Sequence, residues 1–293
     1  MPEGVRISLS PPPEAHMDHS WYRGKKVLIS GGSGGLGMAA AKMLVEAGAD
    51  VLLVARGRTR LAEYETHYDG LDAAVEALRT RAKGGGVHAL SLDVTDAAAV
   101  EAAVPKALEI LGGLDVLILA AGVSRPGTTS DLPLEAYSKA MNVNFMGTVH
   151  LTRAFLPFLV AQRRGWICAV SSLAGLVGLF GYSAYAASKF AVAGFADCLR
   201  QEMLGHGIEV SVIFPPDMKT SMYREEQIFL PRESKAIAAL ASPMEPEEAA
   251  AAMLEGIRKG RYHIIPGFAN RMLVRILRFA PWLLRAVMDS KIR

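Results

Sequence analysis

Residues 26–37 read Lys26-Val27-Leu28-Ile29-Ser30-Gly31-Gly32-Ser33-Gly34-Gly35-Leu36-Gly37 and pass directly into an Ala-rich stretch ending near Ala47. An apolar, β-prone run, a glycine-rich turn and a segment with apolar positions at helical spacing therefore follow one another without a gap. Glycines at such a junction let the backbone turn tightly, and the N–H groups that open the helix then face outward toward an anion. A lone glycine-rich loop is a weak signal, because it also serves as a plain turn. With a strand before it and a helix after it, the pattern predicts a nucleotide loop with Gly31, Ser33, Gly35, Leu36 and Gly37 against the pyrophosphate.

The same alternation continues along the chain. Apolar runs at 26–30, 51–54, 87–92, 114–119, 166–171, 208–214 and 262–265 are separated by helical patterns such as 36–47 and 97–111. Strands that read as continuous apolar runs are covered on both faces, so the expected fold is α/β, a doubly wound parallel sheet of Rossmann type. At 293 residues, with about half of them apolar and no Ser/Gly linker, one domain accounts for the length. The expected organisation is a mobile tail over 1–22, a Rossmann-type domain over 23–267 and an amphipathic basic C-terminal helical extension over 268–293. Within the domain, 215–245 shows no clear periodicity and is read as a lid.

Charge and cysteine usage narrow the setting. The net charge of +3 conceals nine basic residues and one acid between Gly256 and Arg293, so that the body is mildly acidic and the tail strongly basic. Cys168 and Cys198 have no redox or metal-ligand spacing, and the seven histidines form no metal signature. No stretch at the start resembles a secretory signal, and a reducing cytoplasm is the expected compartment.

The end of the second strand bears on which nucleotide is held. An acid there would bond a free ribose 2′-hydroxyl and repel a 2′-phosphate, whereas an arginine would pair with that phosphate. The sequence has Val54-Ala55-Arg56-Gly57-Arg58, and the first acid after Asp50 is Glu63, so NADPH is the expected cofactor. A solvated surface arginine is the better reading of Arg58 and Arg60 than of Arg56. Asp93, followed by Val94 at the end of the third strand, stands where a carboxylate accepts from an adenine amino group. Helix capping is its plainer alternative, although Asp96 is better placed for that.

Tyr185 and Lys189 lie four residues apart and share a helix face. A phenol is a poor proton donor near neutrality until its surroundings retune it, and a nearby ammonium is expected to lower its pKa. Ser172 stands thirteen residues upstream at the end of a strand, where a hydroxyl can polarise a substrate carbonyl. Both Ser171 and Ser172 also suit a turn or a cap, a reading that fits Ser171 better.

The glycine pattern, Asn144 in Asn142-Val143-Asn144-Phe145, Ser172, and Tyr185 with Lys189 together resemble the short-chain dehydrogenase/reductase family. That resemblance implies Tyr185 as general acid and Lys189 on the nicotinamide ribose. It further implies Ser172 on the carbonyl, Asn144 holding a relay water, Thr220 on the carboxamide, Gly122 at close cofactor approach, and a homo-oligomer through the helices carrying Tyr185 and Asn144. Leu119-Ala120-Ala121-Gly122 departs from the family's usual Asn-Asn-Ala-Gly, which puts local hydrogen bonding in question.

Fold and tetrad do not name a substrate. Pro215-Pro216-Asp217, the run Glu233 to Ile237 and the helix start at Pro246 resemble the 3-ketosphinganine reductases, which implies reduction of a long-chain lipid ketone. Ile228, Phe229 and Leu230 suit an alkyl chain, and Asp217 or Glu225 suits its ammonium, with surface solvation an equal explanation of those acids. Arg271, Arg275, Arg278 and Arg285 fall on one face of a continuous helix among aliphatic residues and Trp282. Such a helix lies in an anionic membrane surface, peripheral on its cytoplasmic side, or else packs on protein; four arginines and Pro281 oppose spanning, and basic residues interleaved with aliphatics oppose nucleic acid. Rival readings are a ketoreductase of 3-oxoacyl thioesters, steroids or retinoids, and a cofactor-binding regulator without turnover.

Overall fold

The computed structural model describes residues 19–57, 70–238 and 242–292. Arg58, Arg60 and Glu63 lie outside them. Seven strands, β1 (Lys26–Ser30), β2 (Asp50–Ala55), β3 (Val87–Ser91), β4 (Val116–Leu119), β5 (Gly165–Val170), β6 (Ile208–Ile213) and β7 (His263–Ile264), form one sheet in the order β3-β2-β1-β4-β5-β6-β7. Every pairing is parallel, as the continuous apolar runs require. Strand order reverses between β1 and β4, and the carboxyl ends of those two strands open the crevice where such sheets take ligands.

Of helices α1 (Gly35–Glu46), α2 (Leu71–Arg79), α3 (Ala97–Leu111), α4 (Leu134–Ala140), α5 (Gly147–Gln162), α6 (Ser183–Met203), α7 (Ser221–Phe229), α8 (Arg232–Ala238) and α9 (Pro246–Arg258), α1, α2 and α9 cover one face and α3, α5 and α6 the other. Alternate side chains of each strand feed opposite cores: Val27 and Ile29 pack with Leu44 and Leu254, while Leu28 and Leu117 pack with Phe155 and Leu159. Asp96 caps α3 by accepting from the Ala99 amide at 2.9 Å, as its position before the helix suggests.

Three boundaries differ from the sequence expectation. The body begins before residue 23, because His19–Tyr22 form a 3-10 turn and Tyr22 is 1% exposed, its hydroxyl donating to the Leu254 carbonyl at 2.7 Å. The lid is not irregular: it holds α7, opened by the Thr220 hydroxyl accepting from the Tyr223 amide, and α8. Its two ends meet where Met218 pairs with Met244, with the Met244 amide donating to the Asp217 carbonyl at 2.8 Å and the Lys219 amide to the Met244 carbonyl at 3.0 Å.

The C-terminal extension is two helices, α10 (Phe268–Phe279) and α11 (Pro281–Ile292). Proline has no N–H and drives the residue before it out of helical conformation, and Ala280 accordingly sits at φ −139°, ψ 58°. Arg271, Arg275 and Arg278 share α10, but Arg285 belongs to the second helix and does not continue their stripe. No described helix is long and apolar enough to cross a membrane.

Candidate active site

The glycine turn lies over the crevice. Gly31 has φ +69°, and a Cβ there would stand 2.7 Å from the Ala120 carbonyl oxygen; at Gly37 it would stand 2.4 Å from the Gly31 oxygen. Only glycine lets the turn fold against β4 and lets α1 start beneath it. The resulting cleft is lined by Gly31, Ser33, Gly35, Leu36 and Gly37 on one side and by Arg56, Asp93, Val94 and Gly122 along the strand ends, with Thr220 against Gly35, Lys189 near Gly122, and Tyr185. Arg56 is exposed at the end of β2, with no acid between Ala55 and Gly57. Asp93 accepts from the Thr95 amide at 2.9 Å and the Thr95 hydroxyl at 2.8 Å. Burial alone would raise its carboxyl, but those two bonds and Arg56 leave it below the ordinary range.

The catalytic candidates converge from three elements. Lys189, on α6, is 4% exposed and donates to the Val170 carbonyl at 2.8 Å, so the end of β5 fixes its ammonium while two of its protons stay available. Burial pushes its pKa down to about 8. The ammonium stands 5.6 Å from the centre of the Tyr185 ring. Contrary to expectation, the phenol is pushed up, by burial first and Glu226 next, while the nearby Ser172 hydroxyl opposes the rise. Raising a phenol's pKa weakens it as a proton donor, so this shift by itself does not favour the transfer.

The two serines exchange their expected minor roles. Ser172 caps the 3-10 turn at 173–175, accepting from the Ala174 amide at 3.1 Å, and keeps its own proton for a ligand or the phenol. Ser171 is buried and donates to the Lys189 carbonyl at 2.9 Å, joining β5 to α6.

Asn144 sits in a π-helical turn, Met141–Met146, a widened turn that recurs at functional sites. Its side chain is buried: Oδ1 accepts from the Val123 amide at 2.7 Å, and Nδ2 donates to the Val123 carbonyl and to the Ser188 hydroxyl, each at 2.9 Å. One Oδ1 lone pair is left for a water. The amide therefore first secures the loop carrying Gly122. Where the sequence has Ala120-Ala121, the Ser30 hydroxyl accepts from the Ala121 amide at 3.3 Å and supplies a local bond.

The profile described as short chain dehydrogenase matches residues 25–229. The chain belongs to that family. It is similar to the 3-dehydrosphinganine reductase of Danio rerio, 35% identical over 240 residues that span 82% of this chain and 70% of the other. It is also similar to dehydrogenase/reductase SDR family member 7B of Rattus norvegicus, 35% identical over 206 residues, 69% of this chain and 61% of that one. Among solved structures, a short-chain dehydrogenase from Sphingobium yanoikuyae in complex with NADPH superposes with a TM-score of 0.72 at 27% identity, covering 89% of this chain and 95% of the other.

In this short-chain dehydrogenase/reductase the segment after β6 carries acids that act on Tyr185. Glu225, a sequence candidate, is only partly covered, whereas its neighbour Glu226 is 8% exposed and accepts from the Tyr182 hydroxyl at 3.3 Å. Tyr182 and Tyr185 stand edge to face with ring centres 6.1 Å apart. Asp217 is exposed to solvent, and the protein around it raises its carboxyl by desolvation. Neither Glu226 nor Tyr182 was singled out in the sequence. The available signal was α7 itself: Met222 lines the cleft, and Glu226 lies one turn further along that face.

Proposed function

We propose that the protein reduces the C3 ketone of 3-ketosphinganine to sphinganine, using NADPH, at Tyr185. The observation that carries this reading is the Tyr185 phenol in a glycine-lined cleft, with the Lys189 ammonium 5.6 Å from its ring centre. The Pro215-Pro216-Asp217 lid segment and the likeness to a 3-dehydrosphinganine reductase favour this ketone over other family substrates.

The residues present suit NADPH. The glycine turn leaves room that any Cβ would fill, and Arg56 offers a guanidinium at the β2 end for a 2′-phosphate. Gly31, Ser33, Gly35, Leu36 and Gly37 would face the pyrophosphate, Asp93 and Val94 the adenine, Lys189 the nicotinamide ribose, and Gly122 and Thr220 the nicotinamide end. When bound, the cofactor supplies hydride to the carbonyl carbon. Ser172 holds the ketone oxygen, and Tyr185 gives its proton to that oxygen as negative charge develops there. Lys189 stabilises the resulting phenolate, and the water at Asn144 returns a proton toward it.

The same reading places the enzyme as a cytoplasmic protein on an anionic membrane surface. Phe268, Met272, Ile276 and Phe279 are all exposed on α10, at steps of four, four and three residues beside its three arginines. Trp282 and Leu283 extend the exposed apolar area onto α11. A homo-oligomer through α6 is part of this proposal, with Phe190 exposed at 46% on that helix.

The test is NADPH oxidation by purified protein with 3-ketosphinganine, a 3-oxoacyl thioester and a steroid ketone. Turnover of the first is expected, with kcat reduced by about 100-fold or more in Tyr185→Phe. Reduction of the thioester without the amino ketone would refute the substrate assignment.

A further inference from the structure

The lid buries a carboxylate that the chemistry above does not use. Glu226 is more than nine-tenths buried, and its recorded hydrogen-bond partner is the Tyr182 hydroxyl. Among the ionisable side chains that act on it from nearby, the largest effect is that of another acid, Asp217. No ion pair among the described residues involves Glu226 or Asp217. Beside Glu226 lies the Ser124 hydroxyl, which favours its carboxylate and whose buried oxygen meets no hydrogen-bond criterion among the described residues.

Placing a buried carboxylate beside another acid is unfavourable, since each raises the cost of ionising the other. Here that cost is concentrated at one spot, next to the proton donor. Burial and Asp217 raise Glu226 to about 7, and Glu226 in turn raises Tyr185. A cation arriving between them would relieve both effects and restore Glu226 to its carboxylate form.

A substrate ketone on Ser172 and Tyr185 carries its next carbon within a bond length of the reacting centre. In a 2-amino-3-ketone, that carbon bears an ammonium, three donors on a compact charge. We infer that Glu226, assisted by Asp217 at the mouth of the cleft and the Ser124 hydroxyl, is the receptor for the ammonium of a long-chain 2-amino ketone. Glu226 thereby sets specificity for an amine next to the ketone, while Ile228 and Leu230 on the same lid segment are left to the alkyl chain. This rests on the ketoreductase reading and adds the group that selects its substrate.

The test compares two ketones of equal chain length, one with the 2-amino group and one with hydrogen in its place. The unmodified protein is expected to favour the amino ketone at least tenfold in kcat/KM. In Glu226→Gln, which keeps the side-chain shape and the Tyr182 contact, that ratio is expected to fall at least tenfold, chiefly through KM for the amino ketone. An unchanged ratio, whether both activities fall together or neither does, overturns the inference.

Should Glu226→Gln fail to fold, the unmodified protein decides: a long-chain alkylammonium without a ketone is expected to inhibit at least tenfold more tightly than the alcohol of the same chain, and equal inhibition refutes the receptor. If neither ketone is reduced, the reductase reading itself fails. If both are reduced equally, only the ammonium receptor does.

Discussion

The Lys189 ammonium donates to the Val170 carbonyl across 2.8 Å, so the charged end of this side chain is held by the last residue of β5. Burial lowers its pKa to about 8, from a lysine's ordinary value well above that. Between those values the unfolded chain binds the extra proton, so this group's effect is to make folding more favourable as pH rises through that window. Activity runs the other way, because the ammonium disappears over the same window. The kcat/KM for ketone reduction is expected to decline as pH rises through about 8, and a flat profile to pH 9.5 would contradict the lysine's role.

Arg56 is exposed and makes no contribution to the core, so its replacement tests cofactor choice without disturbing the fold. Arg56→Asp exchanges a partner for a 2′-phosphate with a charge that repels it. The ratio of kcat/KM for NADPH over NADH is expected to fall about tenfold or more, corresponding to roughly 1.4 kcal/mol. Steady-state rates with the two cofactors measure it; an unaltered ratio means that another residue reads the phosphate.

Tyr22 supplies a stability test of where the domain begins. Tyr22→Phe removes the hydroxyl that reaches the Leu254 carbonyl and is expected to cost about 1 kcal/mol. Tyr22→Ala also empties a fully buried aromatic position and is expected to cost about 3–5 kcal/mol. Urea unfolding at unchanged m-value distinguishes the two. A chain starting at residue 23 is expected to be destabilised at least as much as the alanine variant.

The membrane surface reading rests on α10. Reversing Arg271, Arg275 and Arg278 to glutamate removes three attractive charges worth about 1 kcal/mol each at an anionic bilayer. Binding to phosphatidylserine-containing vesicles in flotation is expected to drop by about a hundredfold or more, with catalysis on a detergent-dispersed ketone retained. Undiminished flotation would assign the helix to packing against protein instead.

The sheet was legible because doubly buried strands are continuous apolar runs: 26–30 is reproduced to the residue, and the other six strands differ by a few positions at their ends. The cleft was legible for a related reason, since Gly31 to Gly37 and Tyr185 with Lys189 are local patterns whose geometry follows from one turn and one helix. Contacts between distant segments were not. Tyr22 meets a carbonyl 232 residues away, and no local pattern records that. Glu226 differs from Glu225 only in which side of α7 it occupies, and that is fixed by the cap at Thr220. Pro281 was visible as an obstacle to spanning, but its turning of the chain, which separates Arg285 from the other arginines, required the backbone at Ala280.

Because Met218 and Met244 are paired, the two ends of the lid segment leave the body of the protein side by side. What lies between them is a cassette: its length and sequence can change over generations without altering the separation of its anchors or the strands beneath. New substrate preferences can therefore arise by insertion, deletion or exchange beyond Met222, while Thr220 to Met222 stay with the cofactor cleft.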